Sequence, residues 1–232
     1  MENSNPVILS IITVVYNNVH LIEATILSVL EKKAEEIEYI IIDGGSKDGT
    51  VDIIKRYESK LAYWISEADN GIYDAMNKAV TNAKGDYLYF INCGDVVLSL
   101  PLGILKHTDA DMLCFPVQTS RALRKPSLGF TFFVTNTLPH QGIFYKNSAD
   151  VFFDCSYKVF ADYALNIDYK KKRKKIKIFD QPIVAYHELD GVSNNRKKFS
   201  EFFRLVKRKS GIHILVLSYL YFKWKGLRAR LQ

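Results

Sequence analysis

The chain has 232 residues, 48% of them hydrophobic and 25% charged, with a formal net charge of +7. This length allows one full hydrophobic core, and the composition excludes a disordered chain. Three cysteines without metal-ligand spacing exclude a disulfide framework and a zinc site and favour a reducing, cytoplasmic setting. The first residues lack the pattern of a signal peptide, and no apolar run approaches the ~20 residues of a membrane span, so we expect neither.

Strand and helix patterns alternate up to residue 95. The run 7–15 is apolar and rich in β-branched residues, which is typical of a strand buried on both faces of a parallel sheet. Further strands are expected over 37–42, 61–66 and 87–91, with helices after residue 18, over 51–57 and over 72–84. This order predicts a doubly wound α/β fold whose ligand lies at the carboxyl ends of the strands.

Acidic residues and glycines follow those strand ends. Asp43 opens the glycine-rich loop 44–50, and Asp95 follows the fourth strand. The loop has neither GxGxxG nor GxxxxGK[ST], which argues against a dinucleotide fold and a P-loop ATPase. A carboxylate such as Asp95 can hold Mg²⁺ or Mn²⁺ against a diphosphate, although it could equally form a turn. We interpret this edge of the sheet as a nucleotide-sugar site.

Several motifs occur in an order that resembles the family 2 glycosyltransferases of GT-A fold. They are Val14-Val15-Tyr16-Asn17, Ile42-Asp43-Gly44-Gly45-Ser46-Lys47-Asp48-Gly49-Thr50, Asp69-Asn70-Gly71-Ile72-Tyr73-Asp74-Ala75-Met76-Asn77-Lys78, Gly85-Asp86 and Asn92-Cys93-Gly94-Asp95. The resemblance implies a Rossmann-like α/β fold with a central, mostly parallel sheet and flanking helices. It also implies an inverting transferase that uses a nucleotide-diphosphate sugar, commonly UDP-linked, with Mn²⁺ or Mg²⁺.

The resemblance also assigns the donor-side residues. Val14 and Tyr16 would line the base pocket, and Asp43 would accept a hydrogen bond from the base. Stacking on Tyr16 and a carboxylate acceptor for the uracil N–H make chemical sense. The alternative is that Tyr16 is a packed strand-end aromatic and Asp43 a turn former. Asp74 would lie near the ribose or the donor sugar, unless it only caps its helix.

The segment Asn92-Cys93-Gly94-Asp95 departs from the acidic pair or Asp-x-Asp that is usual in the family. Asp95 matches the last acid of that motif, which is the expected metal ligand. Asn92 is a candidate contact with the nucleotide sugar. His187 could be a further metal ligand, in a region (184–193) that resembles the part of the family that closes over the diphosphate.

The second half of the chain is expected to bind the acceptor. Strands are predicted over 111–117 and 128–134, and His140 is a candidate substrate contact at the start of a later strand. Asp162 lies in the first turn of a predicted helix and matches the family's catalytic base, which would remove the proton of the acceptor hydroxyl. The alternative for Asp162 is an interaction with the helix dipole.

Charge is distributed unevenly along the chain. Residues 1–166 carry 14 Lys and Arg against 20 Asp and Glu, a net of −6, whereas 167–232 carry 18 against 5, a net of +13. Basic residues alternate with aromatic and leucine side chains after residue 193, a pattern that indicates helices on an anionic membrane surface. The other interpretation is ordinary helices packed on the domain with solvated charges.

We therefore expect a GT-A domain over 1–193, with donor-binding (1–95) and acceptor-binding (96–193) halves, and a basic helical tail over 194–232. The expected function is sugar transfer to a lipid-linked saccharide in the assembly of capsule, O-antigen or another surface polysaccharide, at the inner face of the cytoplasmic membrane. One alternative is a degenerate transferase that binds a nucleotide sugar without turnover. A nucleic-acid-binding protein is disfavoured, because residues 1–166 are acidic and no nucleic-acid motif is present.

Overall fold

The computed structural model describes residues 6–32, 34–188 and 199–228. The strands are β1 Leu9–Val15, β2 Ile37–Asp43, β3 Tyr63–Ser66, β4 Tyr87–Phe90, β5 Val96–Val97, β6 Met112–Cys114, β7 Val117–Thr119, β8 Leu123–Arg124, β9 Ile143–Lys146, β10 Ile176–Ile178 and β11 Ala185–His187. The helices are α1 Val19–Leu30, α2 Thr50–Arg56, α3 Ile72–Asn82, α4 Leu102–Lys106, α5 Thr131–Val134, α6 Ala161–Lys171, α7 Phe199–Ser210 and α8 Ile212–Arg228.

A seven-stranded sheet in the order β10-β6-β9-β4-β1-β2-β3 forms the centre of the fold. All its neighbouring strands run parallel except β9, which is antiparallel to both β4 and β6. Every residue of β1 is buried, because helices cover both faces of a parallel sheet. Ile12 and Val14 belong to the apolar cluster on one face, and Leu9, Ile11 and Val15 to that on the other. The prediction of an α/β fold with a mostly parallel sheet is confirmed.

The reversed strand β9 matters for the site. Since β9 is antiparallel to β4, with Tyr89 opposite Phe144, the start of β9 lies at the carboxyl end of β4. A short 3₁₀ turn over His140–Gly142 precedes β9. This arrangement brings His140 and Gln141 to the same edge of the sheet as Asp95.

A smaller four-stranded sheet, β5-β11-β7-β8, covers this edge. Strand β11 pairs antiparallel with β5 and parallel with β7. Because β5 begins directly after Asp95 and β11 ends at His187, the small sheet places these two side chains together.

Two predictions for the second half are wrong in detail. The segment 128–134 is not a strand: Thr131–Val134 is a short helix that follows a turn in which Phe132 N–H donates to Gly129 O at 3.0 Å. The predicted strand 111–117 stops at Cys114 and restarts as β7 in the other sheet. Pro116 lies at the break and has no N–H to continue the ladder.

The C-terminal helices pack against the domain. Phe202, Leu205 and Val206 of α7 are buried within the cluster that includes Ile12 and Phe90 of the main sheet. The expected boundary at residue 193 and the basic residues Arg196, Lys197, Lys198 and Arg230 lie outside the described residues. Within the described ranges, no helix is long and apolar enough to cross a membrane.

Candidate functional site

Asp43 ends β2 and is fully buried. Its Oδ2 accepts hydrogen bonds from Gly45 N–H at 3.0 Å, Ser46 N–H at 2.8 Å and the Ser66 hydroxyl at 2.6 Å. Its Oδ1 accepts from the Ser46 hydroxyl at 2.5 Å. The carboxylate therefore holds the glycine loop in place, and a nucleotide base would have to displace one of these four donors to reach it.

Tyr16 follows β1 and is 64% exposed at the mouth of this loop. A side chain at Gly44 would meet two groups there: its Cβ would lie 2.6 Å from Asp69 Oδ2 and 3.3 Å from the Tyr16 ring. Asp69 Oδ1 accepts from Gly71 N–H at 2.8 Å. A carboxylate oxygen and an open aromatic face thus converge above a residue without a side chain. Sequence reasoning gave Asp69 only a turn role and missed it as a candidate acceptor for a base.

Two other candidates occupy less open positions. The side chain of Val14 is 5% exposed and belongs to the core. Asp74 Oδ2 accepts from Asn70 N–H at 2.9 Å and lies 3.9 Å from Lys78 Nζ. Asp74 therefore holds the turn that precedes α3.

Asp95, Gln141 and His187 form one buried cluster. Asp95 is 3% exposed, and its Oδ1 lies 2.5 Å from His187 Nδ1. Gln141 Nε2 donates to Asp95 Oδ2 at 3.0 Å and lies 3.2 Å from His187 Nδ1. The structure brings together the two residues expected to bind metal and adds Gln141, whose contact with Asp95 spans 46 positions in the chain.

The donor set suits Mn²⁺ or Mg²⁺ in chemistry but not in number. One carboxylate and one imidazole can serve a divalent cation that takes its remaining ligands from a diphosphate and water. No group of three or more His, Cys, Asp or Glu side chains that could hold a metal occurs in the described ranges. Asp95 and His187 would hold such a cation in place of the contact that Asp95 Oδ1 and His187 Nδ1 now make with each other.

The segment between β4 and Asp95 carries an unpaired polar atom. Asn92 Oδ1 is buried and has no hydrogen-bond partner among the described residues. Burial raises the pKa of the neighbouring Cys93 thiol to about 12, so the free thiol keeps its proton at neutral pH.

The acceptor side contains a second buried cluster of Asp162, Tyr73 and His140. Asp162 is in the first turn of α6 and is 9% exposed. The Tyr73 hydroxyl lies 3.0 Å from Asp162 Oδ1 and 2.5 Å from Val159 O. His140 Nδ1 is 3.8 Å from Asp162 Oδ2. Burial raises the pKa of Tyr73 well above its usual value, and Asp162 adds to the effect, so the hydroxyl keeps its proton.

His140 connects the two clusters. Its ring stacks on Phe90 at 5.8 Å, and both ring nitrogens are buried without a hydrogen-bond partner among the described residues. Burial lowers its pKa, while the charges of Asp162 and Asp95 act in the opposite direction. The imidazole is therefore neutral at pH 7; it lies 3.8 Å from Asp162, and its chain neighbour Gln141 contacts Asp95.

Residues 10–99 match the family model "Glycosyl transferase family 2". This part of the chain is similar to that family, and the chain spans about a third of the length of the curated relatives that it matches at the highest identity. An uncharacterised glycosyltransferase of Mycobacterium tuberculosis is 41% identical over 87 residues, which are 37% of this chain and 33% of that protein. The teichuronic acid biosynthesis glycosyltransferase TuaG of Bacillus subtilis, a putative assignment, is 38% identical over 41% of this chain and 38% of its own length. A PGL/p-HBAD biosynthesis glycosyltransferase of Mycobacterium bovis is 25% identical over 95% of this chain and 92% of that protein.

Solved structures of GT-A glycosyltransferases share the fold of this chain. TarS of S. aureus in complex with UDP-GlcNAc superposes with a TM-score of 0.71 at 18% identity, over 87% of this chain and 66% of that chain. The mannosyltransferase PcManGT of Pyrobaculum calidifontis, in complex with GDP-Man and Mn²⁺, gives 0.62 at 15% identity, over 95% of this chain and 64% of that chain. The GT-A fold expected from the sequence is confirmed.

Proposed function

We propose that the chain is an inverting glycosyltransferase that moves a sugar from a nucleotide-diphosphate donor, a UDP-sugar, to a hydroxyl of a lipid-linked saccharide. The observation that carries this proposal is that the buried carboxylate of Asp162 lies 3.8 Å from His140, while the next residue, Gln141, donates a hydrogen bond to Asp95. The match of residues 10–99 to the family 2 model and the structural likeness to TarS, which binds UDP-GlcNAc, support the donor class.

Asp162 has one oxygen that can serve the reaction. Oδ1 faces the Tyr73 hydroxyl, whereas the contact of Oδ2 among the described residues is with the neutral His140 ring, at 3.8 Å. In the transfer, Asp162 Oδ2 takes the proton of the acceptor hydroxyl while the hydroxyl oxygen bonds to the anomeric carbon of the donor sugar. The bond from that carbon to the diphosphate oxygen breaks on the opposite face, and its electron pair leaves with the nucleotide diphosphate.

On the donor side, the base stacks on Tyr16 and its N–H donates to Asp69, with Asp43 keeping the loop in shape. Asn92 Oδ1 gains a partner from the donor. Asp95 and His187 would hold Mn²⁺ or Mg²⁺, which neutralises charge that builds up on the leaving diphosphate.

Titration calorimetry of UDP tests the donor site, with GDP and CDP for comparison and with either Mn²⁺ or a chelator present. We expect UDP binding that requires metal in the wild type and is lost in Asp95→Asn. Absence of binding by every nucleotide would refute the donor class. Hydrolysis of a UDP-sugar that Asp162→Asn abolishes would exclude a degenerate protein that only binds nucleotide sugars.

The acceptor class and a place at the inner face of the cytoplasmic membrane are part of the proposal, for a pathway such as capsule, O-antigen or a related surface polysaccharide. The names of the relatives from Bacillus and Mycobacterium bovis refer to cell-envelope glycans or glycolipids and are consistent with it. Helix α8 supports membrane contact, since one face of it carries five apolar or aromatic side chains that are more than half exposed: Ile212, Val216, Tyr219, Leu220 and Trp224.

Charge around α8 fits an anionic surface. Among residues 199–225, six Lys and Arg stand against the single acid Glu201. Each basic side chain near an anionic bilayer contributes roughly 1 kcal/mol to binding. We expect sedimentation with phosphatidylglycerol vesicles, weaker sedimentation with pure phosphatidylcholine, and loss in Val216→Glu/Leu220→Glu. The matched control is Phe152→Glu, since Phe152 is 63% exposed outside α8. Equal sedimentation of both variants would contradict this role of α8.

A further inference from the structure

A carboxylate on α7 holds the segment that leads into α6. Glu201 Oε1 accepts from Val159 N–H at 2.8 Å and from Phe160 N–H at 3.1 Å. Its Oε2 accepts from Lys158 N–H at 2.9 Å. The first N–H groups of a helix have no partner within the helix, and a negative charge there also interacts favourably with the helix dipole. A residue about 40 positions away in the chain thus caps the segment that leads into α6: it satisfies the N-cap amide of Phe160 and the two amides before it.

Local sequence does not supply this cap. The residue at the N-cap of α6 is Phe160, which makes no side-chain capping bond. A capping side chain there would accept from the N–H of the second or third helical residue, whereas Glu201 accepts from the N-cap amide and the two amides before it. The beginning of the helix that carries Asp162 therefore depends on a different part of the chain.

The same segment is held from its other side. The Tyr73 hydroxyl lies 2.5 Å from Val159 O and 3.0 Å from Asp162 Oδ1, so it links the segment to the carboxylate. Lys158 Nζ donates to Asn70 O at 3.2 Å, which ties the segment to the turn before α3. With one clamp on each side, a shift of residues 158–160 changes the position of Asp162.

Aromatic packing fixes α7 relative to α6. The rings of Phe202 and Tyr163 stack with centroids 5.6 Å apart and planes 4° apart, and Phe160 meets Phe202 edge-on at 5.5 Å. Phe202 is 3% exposed and follows Glu201 directly in the chain. The buried ring of Phe202 thus holds the adjacent Glu201 against the amides of residues 158–160.

We propose that Glu201 is a positioning residue for the transfer reaction: it fixes residues 158–160 and, with Tyr73, sets the position of Asp162. This inference rests on the proposed function, in which Asp162 is the base. Helix α7 would then help to position the catalytic carboxylate, independently of any contact between α8 and a membrane.

The test compares Glu201→Gln and Glu201→Ala with the wild type and with Glu31→Gln, an exposed glutamate on the end of α1. The assay is hydrolysis of UDP-glucose, UDP-galactose or UDP-N-acetylglucosamine, whichever the wild type cleaves. We expect kcat to fall up to about 100-fold in Glu201→Ala, the size of effect that a misplacement of ~1 Å can cause. Glu201→Gln keeps an acceptor oxygen and should lose less, while the donor KM and the UDP Kd change less than about twofold.

Amide hydrogen exchange provides a second measurement. Exchange at residues 158–160 should accelerate in Glu201→Ala, with no change in the amides of β1. A folded Glu201→Ala with wild-type kcat overturns the inference, and so does a loss of kcat matched by an equal loss of UDP affinity. If Glu201→Ala does not fold, Glu201→Gln decides by the same criteria.

The two proposals fail in different ways. A wild type that hydrolyses a donor, with Asp162→Asn inactive and Glu201→Ala fully active, removes only the role of Glu201. A wild type that neither binds UDP nor cleaves any of the three sugars removes the proposed function and the role of Glu201 with it.

Discussion

The loops proposed to bind the donor and the centre of the site, around Asn92 and His140, differ in whether their polar groups have hydrogen-bond partners. In the loops, the carboxylates of Asp43, Asp48, Asp69 and Asp74 each accept at least one hydrogen bond from a backbone N–H. In the centre, Asn92 Oδ1 and both ring nitrogens of His140 are buried without a partner among the described residues. The hydrogen-bonding groups in the loops thus have partners within the chain, whereas those in the centre do not among the described residues.

The loops are therefore formed before a ligand binds, whereas the centre has buried polar atoms that a ligand can pair with. Loops whose hydrogen bonds are already made need little reorganisation when a ligand binds. A buried polar atom without a partner costs about 1–3 kcal/mol, which a protein tolerates where a substrate supplies the missing bond. We therefore expect substitutions in the loops to change stability or affinity, and substitutions in the centre to change turnover.

The largest effect should come from Asp162→Asn. Loss of a general base lowers kcat by about 10²–10⁴-fold, and the neutral amide fills the same space. UDP affinity should stay at the wild-type value, since Asp162 is on the acceptor side. Donor hydrolysis and UDP calorimetry on the same sample check both parts, and retained turnover would refute the role of Asp162.

Asp43→Ala should mainly lower stability. It removes the acceptor of two N–H groups and two hydroxyls in a fully buried place, so we expect a loss of about 2–4 kcal/mol in the free energy of unfolding. Urea denaturation measures this value. The control is Asp180→Ala, whose side chain is 84% exposed, and for which the change should be within about 0.5 kcal/mol. Equal stability of Asp43→Ala and wild type would contradict the description of the loops as hydrogen-bonded within the chain.

Asp69→Asn should weaken UDP binding and leave stability unchanged. The amide can still accept from Gly71 N–H, but the charged acceptor beside Tyr16 is lost. A hydrogen bond to a charged group contributes about 1.5–3 kcal/mol, which corresponds to a tenfold or greater rise in the UDP Kd. Calorimetry with CDP is the comparison, because cytosine has no N–H at the equivalent ring nitrogen and should lose less. Equal losses of affinity for UDP and CDP would show that a residue other than Asp69 accepts from the base.

The smallest effect concerns pH. The pKa of His140 is lower in the folded protein than in the unfolded chain, so below pH 6.5 the unfolded state binds more protons. The free energy of unfolding should therefore fall as pH decreases from 6.5, by at most about 1.4 kcal/mol per pH unit, until the folded pKa is passed. His140→Phe keeps a ring against Phe90 and should lack this slope. Parallel curves for the two proteins would show that His140 is not held neutral.

The sequence predicts the first half of the fold well, for a physical reason. Periodicity and β-branched runs are local signals, and they located β1, β2, α3 and β4 to within a few residues. Segment 128–134 has a strand-like pattern as well, but a short helix forms there instead.

Residue partners across the chain were less accessible to sequence reasoning. The motif order singled out Asp95, Asp162 and His187, whereas Tyr73 looked like a helix residue and Gln141 was no more than a neighbour of His140. Their contacts with Asp162 and Asp95 span 89 and 46 positions, so no local pattern announces them. Asp69 was missed for a different reason: a turn role already explained a carboxylate there.

Helix α6 buries eight of its eleven residues, including Asp162. Each of these side chains is constrained by neighbours on several sides, so substitutions along the helix are costly wherever they fall. Evolution and protein engineering face the same restriction. A change of acceptor preference is expected to arise in the exposed connections around the helix, where Phe130 and Phe152 project into solvent, while the element that carries the base stays constant across variants that glycosylate different molecules.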